Sequence, residues 1–414
     1  MVLEAIGVIL AGGGLIQLGL VTAANVRRLA GQNRQAALSL ELLKTELEMM
    51  RDLRQQKAAS GLSWNGWRKF LVTKKIVECG DICSFQLAPH DKKSLPDFRP
   101  GQYLTFQLDI PGQTKPIIRC YSLSDCPRHD IYRVTIKRIP PGAKDAPPGL
   151  ASSFFHEQIK EGDILDVKAP SGQFCLDPAG GSGVVLIGSG IGVTPVLSML
   201  NTLVAQGSRR EIWFFHGIRN RSEHAMKEHL KAIARDNPNV HLHVCASKPD
   251  PDYELGRDYD HEGRVSVKLI KTLLPSSNFD FYLCGPGPMM QDITEGLKEW
   301  GVPEKHIHYE TFGPSSVKKI AAAPSPTASP SYAIQFKKSG KTLQWCGDYA
   351  SILDLAEANG ISIASGCRAG SCGTCQVAIF SGEVDYIEKS DFETERGTRL
   401  TCIGAPKSDL VLDA

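Results

Sequence analysis

Cys367, Cys372 and Cys375 lie in the stretch SGCRAGSCGTC, Ser365 to Cys375, and Cys402 follows in RLTC. Closely spaced thiols serve disulfides, zinc or iron–sulfur clusters. Twelve cysteines among 414 residues are too dilute for a disulfide scaffold. Cys79, Cys83, Cys120, Cys126, Cys175, Cys245 and Cys346 show no ligand spacing and read as small buried or half-buried apolar side chains. Structural zinc typically takes two C-x2-C knuckles, and only one such pair is present. C-x4-C-x2-C…C is the spacing of four thiolates around two irons. The small residues between them let a loop wrap a cluster and aim N–H groups at its sulfurs. The pattern predicts Cys367, Cys372, Cys375 and Cys402 as ligands of a [2Fe–2S] cluster.

A second chemistry is written in LIGSGIGVTPVLSML, Leu186 to Leu200, where a hydrophobic strand meets Gly188, Gly190 and Gly192 before a helix. Glycines let the backbone approach a pyrophosphate, and the helix start offers free N–H groups. G-x-G-x-G taken alone marks a turn as readily as a nucleotide loop. CGPGPMM, Cys284 to Met290, also follows a hydrophobic strand and would reach the carboxyl edge of the same sheet. Cys284 also reads as a buried strand-end thiol. RCYSLSD, Arg119 to Asp125, puts a guanidinium, a phenol and a hydroxyl close together, the set that a flavin nucleotide needs. An edge-strand arginine beside a half-buried tyrosine would look the same.

These groups need elements to position them, and 45.1 kDa implies several domains. The formal net charge of +2 gives no basic excess for nucleic acid. Ala5 to Ala24 is an uncharged, apolar run followed by Arg27, Arg28 and Arg34. A helix of that length spans roughly 30 Å, and arginines after it keep the following chain on the cytoplasmic side. The expectation is a single-pass membrane protein anchored in lipid through residues 5–24, with residues 1–25 as transmembrane anchor and the catalytic domains cytoplasmic. Ala36, Leu40, Leu43, Leu47 and Met50 form a short a/d stripe, so residues 26–60 read as a helical stalk, either alone or pairing a homodimer.

From Trp64 onward short strand-like runs such as ICSFQLAP and RPGQYLTFQLDIPG alternate with turns, predicting an antiparallel β-barrel over 64–178. From Gly183 strands alternate with helices (GVVLIGSG, EIWFFHGIR, HLHVCAS, FDFYLCGPGP), predicting an α/β parallel-sheet domain over 182–313. GPSSVKKIAAAPSPTASPS makes 314–331 a linker, and 332–414 is a small cysteine-bearing domain.

The order and spacing of RCYSLSD, IKR (Ile136 to Arg138), GLASSFFH (Gly149 to His156), GSGIGVTP, HGIRN (His216 to Asn220), CGPGPMM and YETFGP (Tyr309 to Pro314) resemble the ferredoxin–NADP reductase superfamily, in the form shared by flavohaemoglobins and oxygenase reductases. Tyr332 to Ala414 resembles plant-type ferredoxins, with SILDLAEANGI as the helix before the cluster loop. The resemblance implies an FAD-binding barrel, an NAD(P)-binding domain and an α+β β-grasp ferredoxin domain. It implies that Arg119 holds a flavin phosphate, Tyr121 stacks on the isoalloxazine and Ser122 lies near its reactive nitrogen. Ile136, Lys137 and Arg138 join the flavin-binding set, and Gly149, Leu150, Ala151 and Ser152 approach the pyrophosphate. Gly188, Gly190, Gly192, Thr194 and Pro195, with His216, Arg219, Gly285 and Pro286, form the nicotinamide-nucleotide site. Cys284 lies against the nicotinamide, and Glu310 and Phe312 cover the flavin's other side. Ser122, Cys284 and Glu310 are the candidate catalytic residues, acting by positioning.

A nicotinamide gives up a two-electron hydride and a cluster accepts single electrons, so a flavin belongs between them. The expected function is an electron-transfer reductase running NAD(P)H to FAD to [2Fe–2S] to a separate oxygenase, hydroxylase or other redox protein. A self-sufficient quinone or small-acceptor reductase and a redox sensor are the alternatives. In HGIRNRSEH, Arg219 and Arg221 would suit a 2′-phosphate and Glu223 a ribose hydroxyl; the resemblance of the HG-x-RN string to those of NADH-using relatives favours NADH over NADPH.

Overall fold

The computed structural model describes residues 64–141, 148–312 and 331–414, apart from positions 369, 371, 388, 389, 391 and 393. The expected anchor and stalk lie outside the described residues. No helix among the described residues is long and apolar enough to cross a membrane. This corrects the single-pass membrane location expected from the sequence, which rested on the Ala5–Ala24 run and the arginines after it.

The first sheet is antiparallel, in the order β4-β3-β6-β1-β2-β5. Its strands are β1 (Arg68–Cys79), β2 (Ile82–Pro89), β3 (Tyr103–Leu108), β4 (Ile117–Ser122), β5 (Tyr132–Lys137) and β6 (Ile164–Ser171). It is barrel-like, with Phe70, Phe85 and Phe106 fully buried inside. Helix α1 (Leu150–Glu157) packs Phe155 edge-on against Phe85 and Phe106, at 5.2 and 5.4 Å between ring centroids. Burying each such ring contributes on the order of 1.5–3 kcal/mol.

The second sheet runs β10-β9-β8-β7-β11-β12 with every pair parallel. It comprises β7 (Val184–Ser189), β8 (Ile212–Ile218), β9 (Val240–Ala246), β10 (His261–Glu262), β11 (Asp280–Gly285) and β12 (Ile307–Thr311). Helices α2 (Val193–Ala205) and α3 (Lys227–Asp236) contribute to one apolar layer; α4 (Val267–Leu273) and α5 (Gly287–Glu299) contribute to another. Covered on both faces, the central strands must be apolar throughout, and all of β8 is buried.

The third unit is a mixed sheet, β14-β13-β19-β15-β17, formed by β13 (Tyr332–Phe336), β14 (Lys341–Trp345), β15 (Gln376–Ser381), β17 (Thr398–Leu400) and β19 (Leu410–Leu412). A two-stranded ribbon of β16 (Val384–Tyr386) and β18 (Gly404–Pro406) stands beside it. Helix α6 (Ile352–Ala358) buries Ile352, Leu353 and Leu355, and Ser351 caps it by accepting from the Asp354 N–H at 3.2 Å.

Candidate active site and thiol cluster

The parallel register of the second sheet turns separate motifs into one row. His216 of β8 stands opposite Gly188 of β7, Gly188 opposite Cys284 of β11, and Cys284 opposite Glu310 of β12. All four lie near the carboxyl ends of their strands, where ligands of such sheets bind. Beyond Gly188 the chain makes a single 3-10 turn, Gly190–Gly192, before α2. A Cβ on Gly192 would stand 2.3 Å from the Cys284 carbonyl oxygen, so the two glycine-rich motifs touch through their backbones. Nothing lies within 4 Å of where a Cβ on Gly190 would sit, so that face of the loop is open to a ligand. Thr194 and Pro195 are buried in the first turn of α2, with the Thr194 hydroxyl donating to Ile191 O at 3.0 Å. Pro286 caps α5 after Gly285 without a side-chain bond, leaving the helix start uncapped by its own residues.

Several polar atoms here have no protein partner. Both ring nitrogens of His216 and Oε2 of Glu310 are buried without a hydrogen bond. Burial pushes His216 down to about 4 and Glu310 up to about 8, so both are neutral at pH 7. Cys284 is fully buried, and burial, with Glu310 beside it, holds it as a thiol. Arg219 gives its backbone N–H to Glu223 at 3.1 Å, while Arg221 pairs with Asp252 at 2.7 Å. Phe312, past the end of β12, is exposed.

On the barrel, β4 ends at Ser122, which is buried; Tyr121 is half-buried with Phe155 edge-on to it at 5.2 Å. Arg119 is exposed and donates to Ile118 O at 2.7 Å. Ile136 is buried and its carbonyl meets His156 Nε2 at 2.9 Å. Lys137 and Arg138 are engaged by carboxylates, Lys137 with Glu223 at 2.5 Å and Arg138 with Asp81 at 2.7 Å and Glu157 at 3.4 Å. Gly149 precedes α1 with no side-chain cap, Leu150 is exposed and Ala151 buried. Ser152 Oγ donates to Gly149 O and accepts from Ile139 N, which fixes the turn. Two residues not among the predicted site residues have buried hydroxyls without a hydrogen bond of ordinary geometry: Ser153 and Tyr103. Ser153 is legible as the second serine of GLASSFFH; Tyr103, in GQYL, carries no local signal for the role.

The barrel and the parallel sheet meet through Asp125, whose backbone oxygen accepts from Ser198 at 2.7 Å and whose carboxylate accepts from Asn201 at 2.8 Å.

The four thiols fall into two pairs. Cys367 and Cys372 exchange N–H···S bonds of 3.3 Å each, and the sulfurs of Cys375 and Cys402 are 3.0 Å apart. Among the described residues no three His, Cys, Asp or Glu side chains converge on a single ion. Two pairs suit two tetrahedral irons that each take two thiolates, whereas one zinc would gather all four sulfurs around a single point. The loop needs glycine at Gly373, where φ is +71° and a Cβ would meet the Phe392 ring at 2.3 Å. Arg368 ties the loop to α6 through Glu357 and Asp354. Lys168 of β6 donates to Cys372 O at 3.2 Å, and Gly366 packs against Ile118 of β4, so the thiol loop rests on the barrel.

Three family models match the chain: "Oxidoreductase FAD-binding domain" over residues 69–175, "Oxidoreductase NAD-binding domain" over 186–295 and "2Fe-2S iron-sulfur cluster binding domain" over 336–407. A flavohemoprotein of Halalkalibacterium halodurans is 42% identical over 252 residues, 61% of each chain. The chain therefore spans less than two thirds of the length of that curated relative. The FAD/NAD-binding domain of a nitric oxide dioxygenase from Vibrio cholerae is 32% identical, with a TM-score of 0.55, over 60% of this chain and 100% of that one. Phthalate dioxygenase reductase, solved as a modular structure for electron transfer from pyridine nucleotides to [2Fe-2S], is 25% identical with a TM-score of 0.51. That match covers 84% of this chain and 98% of the reductase.

Proposed function

The chain belongs to the ferredoxin–NADP reductase superfamily and carries a 2Fe-2S domain, an NAD(P)H-dependent oxidoreductase using FAD, NADH and a [2Fe–2S] cluster; from that premise we propose that it is a reductase delivering single electrons to a separate redox protein such as an oxygenase or hydroxylase. One observation carries the reading: the loop of Cys367 and Cys372 packs on the β4 and β6 strands of the barrel, beside Arg119–Ser122. Phthalate dioxygenase reductase, which its structure describes as passing electrons from pyridine nucleotides to [2Fe-2S], supports the same order of modules.

FAD, when bound, converts the two-electron hydride of NADH into single electrons. The protein's part is placement. Arg119 offers charge to a flavin phosphate, Tyr121 a ring face, and Ser122 a hydroxyl at the strand end. The uncapped start of α1 and the Ser153 hydroxyl receive the pyrophosphate region, with Ser152 bracing the turn. Lys137 and Arg138, already neutralised by Glu223, Asp81 and Glu157, shape the barrel edge instead of binding phosphate. The Gly188–Gly192 turn, with Thr194 and Pro195 behind it, cradles the nicotinamide nucleotide, and the neutral Cys284 and Glu310 flank the reacting ring without presenting charge to it. Cys367 with Cys372 holds one iron, and Cys375 with Cys402 the other. NADH is the donor in this reading, in keeping with the HG-x-RN string at His216–Asn220; Arg221, an arginine suited to a 2′-phosphate, is paired at the surface with Asp252.

Anaerobic mixing with NADH or NADPH, followed by absorbance of the flavin and EPR of the cluster, tests the proposal. Rapid flavin bleaching, then a dinuclear iron signal, then reduction of added cytochrome c is the expected sequence. Flavin bleaching with no cluster reduction would overturn it, and a large preference for NADPH would reverse the donor assignment.

A further inference from the structure

Cys120 lies outside every ligand pattern, yet it stands on β4 between Arg119 and Tyr121. Its sulfur is 3.4 Å from Thr105 Oγ1, a fully buried hydroxyl of β3. Its side chain also lies against that of Cys372, whose sulfur is 3.2 Å from Thr374 Oγ1. Two residues back along β3, and so on the same face as Thr105, Tyr103 is 5% exposed; its hydroxyl has no hydrogen-bond partner of ordinary geometry and lies beside Cys367. Lys168 adds an ammonium at the Cys372 carbonyl, held over the Trp67 ring at 5.0 Å. Both members of the Cys367/Cys372 pair thus face a donor that belongs to the flavin barrel, not to the ferredoxin domain.

The geometry points to Cys120 and Tyr103 as potential-setting residues: the Cys120 thiol donates to the Cys372 sulfur and the Tyr103 hydroxyl to the Cys367 sulfur, so that seating the thiol loop on the barrel makes that half of the cluster easier to reduce. Hydrogen bonds to a ligand sulfur stabilise the added negative charge of the reduced state, and so raise the reduction potential. Thr105 fits the same chain, its hydroxyl donating to Cys120 and leaving the thiol proton for Cys372. The consequence is directional. An electron leaving the flavin meets the cluster at its highest potential while the two modules are in contact, and the donors sit on the side from which that electron arrives.

The inference rests on the assignment of Cys367 and Cys372 as cluster ligands, and the test separates the two. Full-length holoprotein and its Cys120→Ala, Cys120→Ser and Tyr103→Phe variants are titrated anaerobically, with EPR following cluster reduction. Electron–nuclear double resonance counts the exchangeable protons coupled to the reduced cluster. Cys120→Ala and Tyr103→Phe are expected to lower the midpoint potential and each to remove one exchangeable proton, while Cys120→Ser, which keeps a donor, stays nearer the wild type. Should Cys120→Ala lose its cluster on purification, Tyr103→Phe carries the same readouts. A dinuclear signal whose potential and proton couplings are unmoved in Cys120→Ala and Tyr103→Phe overturns this inference alone. A wild type without a dinuclear signal overturns the ligand assignment and this inference together.

Discussion

Gly192 and Cys284 are in backbone contact: a β-carbon on the glycine would stand 2.3 Å from the cysteine's carbonyl oxygen and 2.5 Å from its carbonyl carbon. The atoms it would strike are backbone atoms of a central strand, which cannot rotate away. Gly192→Ala is therefore expected to push the turn off β11, at a cost of about 1–3 kcal/mol. Affinity for NADH falls by roughly tenfold or more, while flavin binding on the separate barrel is retained. Gly181→Ala, where nothing lies within 4 Å, is the control and leaves both unchanged. Titration with NADH and the visible spectrum read the two effects.

Cys284 stands beside Gly188 on one side and Glu310 on the other. Burial keeps it protonated, so its contribution is shape and a weak dipole, not a thiolate. Cys284→Ala opens space against the reacting ring. Misplacement by even ~1 Å can slow a positioned reaction on the order of 100-fold. The expected result is slower flavin reduction by NADH in stopped flow with FAD content intact. Unaltered flavin reduction would remove Cys284 from the mechanism.

His216, Gly188, Cys284 and Glu310 were each legible as motif residues, but their standing in one row was not. That row follows from the sheet order β8-β7-β11-β12, in which β11 arrives beside β7 after three intervening strands, β8, β9 and β10, have been laid on its other side. Strand β2 was readable because ICSFQLAP is bounded by turn residues and rich in β-formers, and the structure puts it at Ile82–Pro89. Lys137 and Arg138 show the opposite case. A lysine and an arginine after a strand look available for phosphate until Glu223 and Asp81, distant in the chain, are folded against them. Tyr103 and Lys168 were unreadable for the same reason, since their neighbours Cys367 and Cys372 come from the far end of the sequence.

Removing one cluster ligand separates the two halves of the electron path. In Cys402→Ala the Cys375 sulfur loses its neighbour at 3.0 Å, and one iron is left with a single protein thiolate. The variant is expected to lose the dinuclear EPR signal and cytochrome c reduction. It keeps bound flavin and NADH-dependent reduction of a small acceptor such as ferricyanide, because no flavin-contacting element includes Cys402. Equal cytochrome c reduction by variant and wild type would show electrons leaving directly from the flavin.

The buried histidines of β8 and the turn after it make folding acid-sensitive. His216 is fully buried with neither nitrogen bonded, and burial holds it near 4. His224, hydrogen-bonded to the Tyr253 hydroxyl, is held near 3, first by burial and then by the charge of His216. An unfolded chain protonates both near 6.5, so between about 6.5 and about 4 the unfolded state binds more protons than the folded one. The stability these residues allow is fully present above about 6.5 and is lost as pH falls through that window. For His216 alone the loss is on the order of 3 kcal/mol. His216→Phe removes the titrating group from the core, so the fall in melting temperature between pH 7 and pH 5 is expected to be shallower in the variant than in the wild type. Thermal melts followed by far-ultraviolet circular dichroism at the two pH values measure the difference; equal falls in the two proteins would mean that His216 takes up its proton as readily in the folded chain as in the unfolded one.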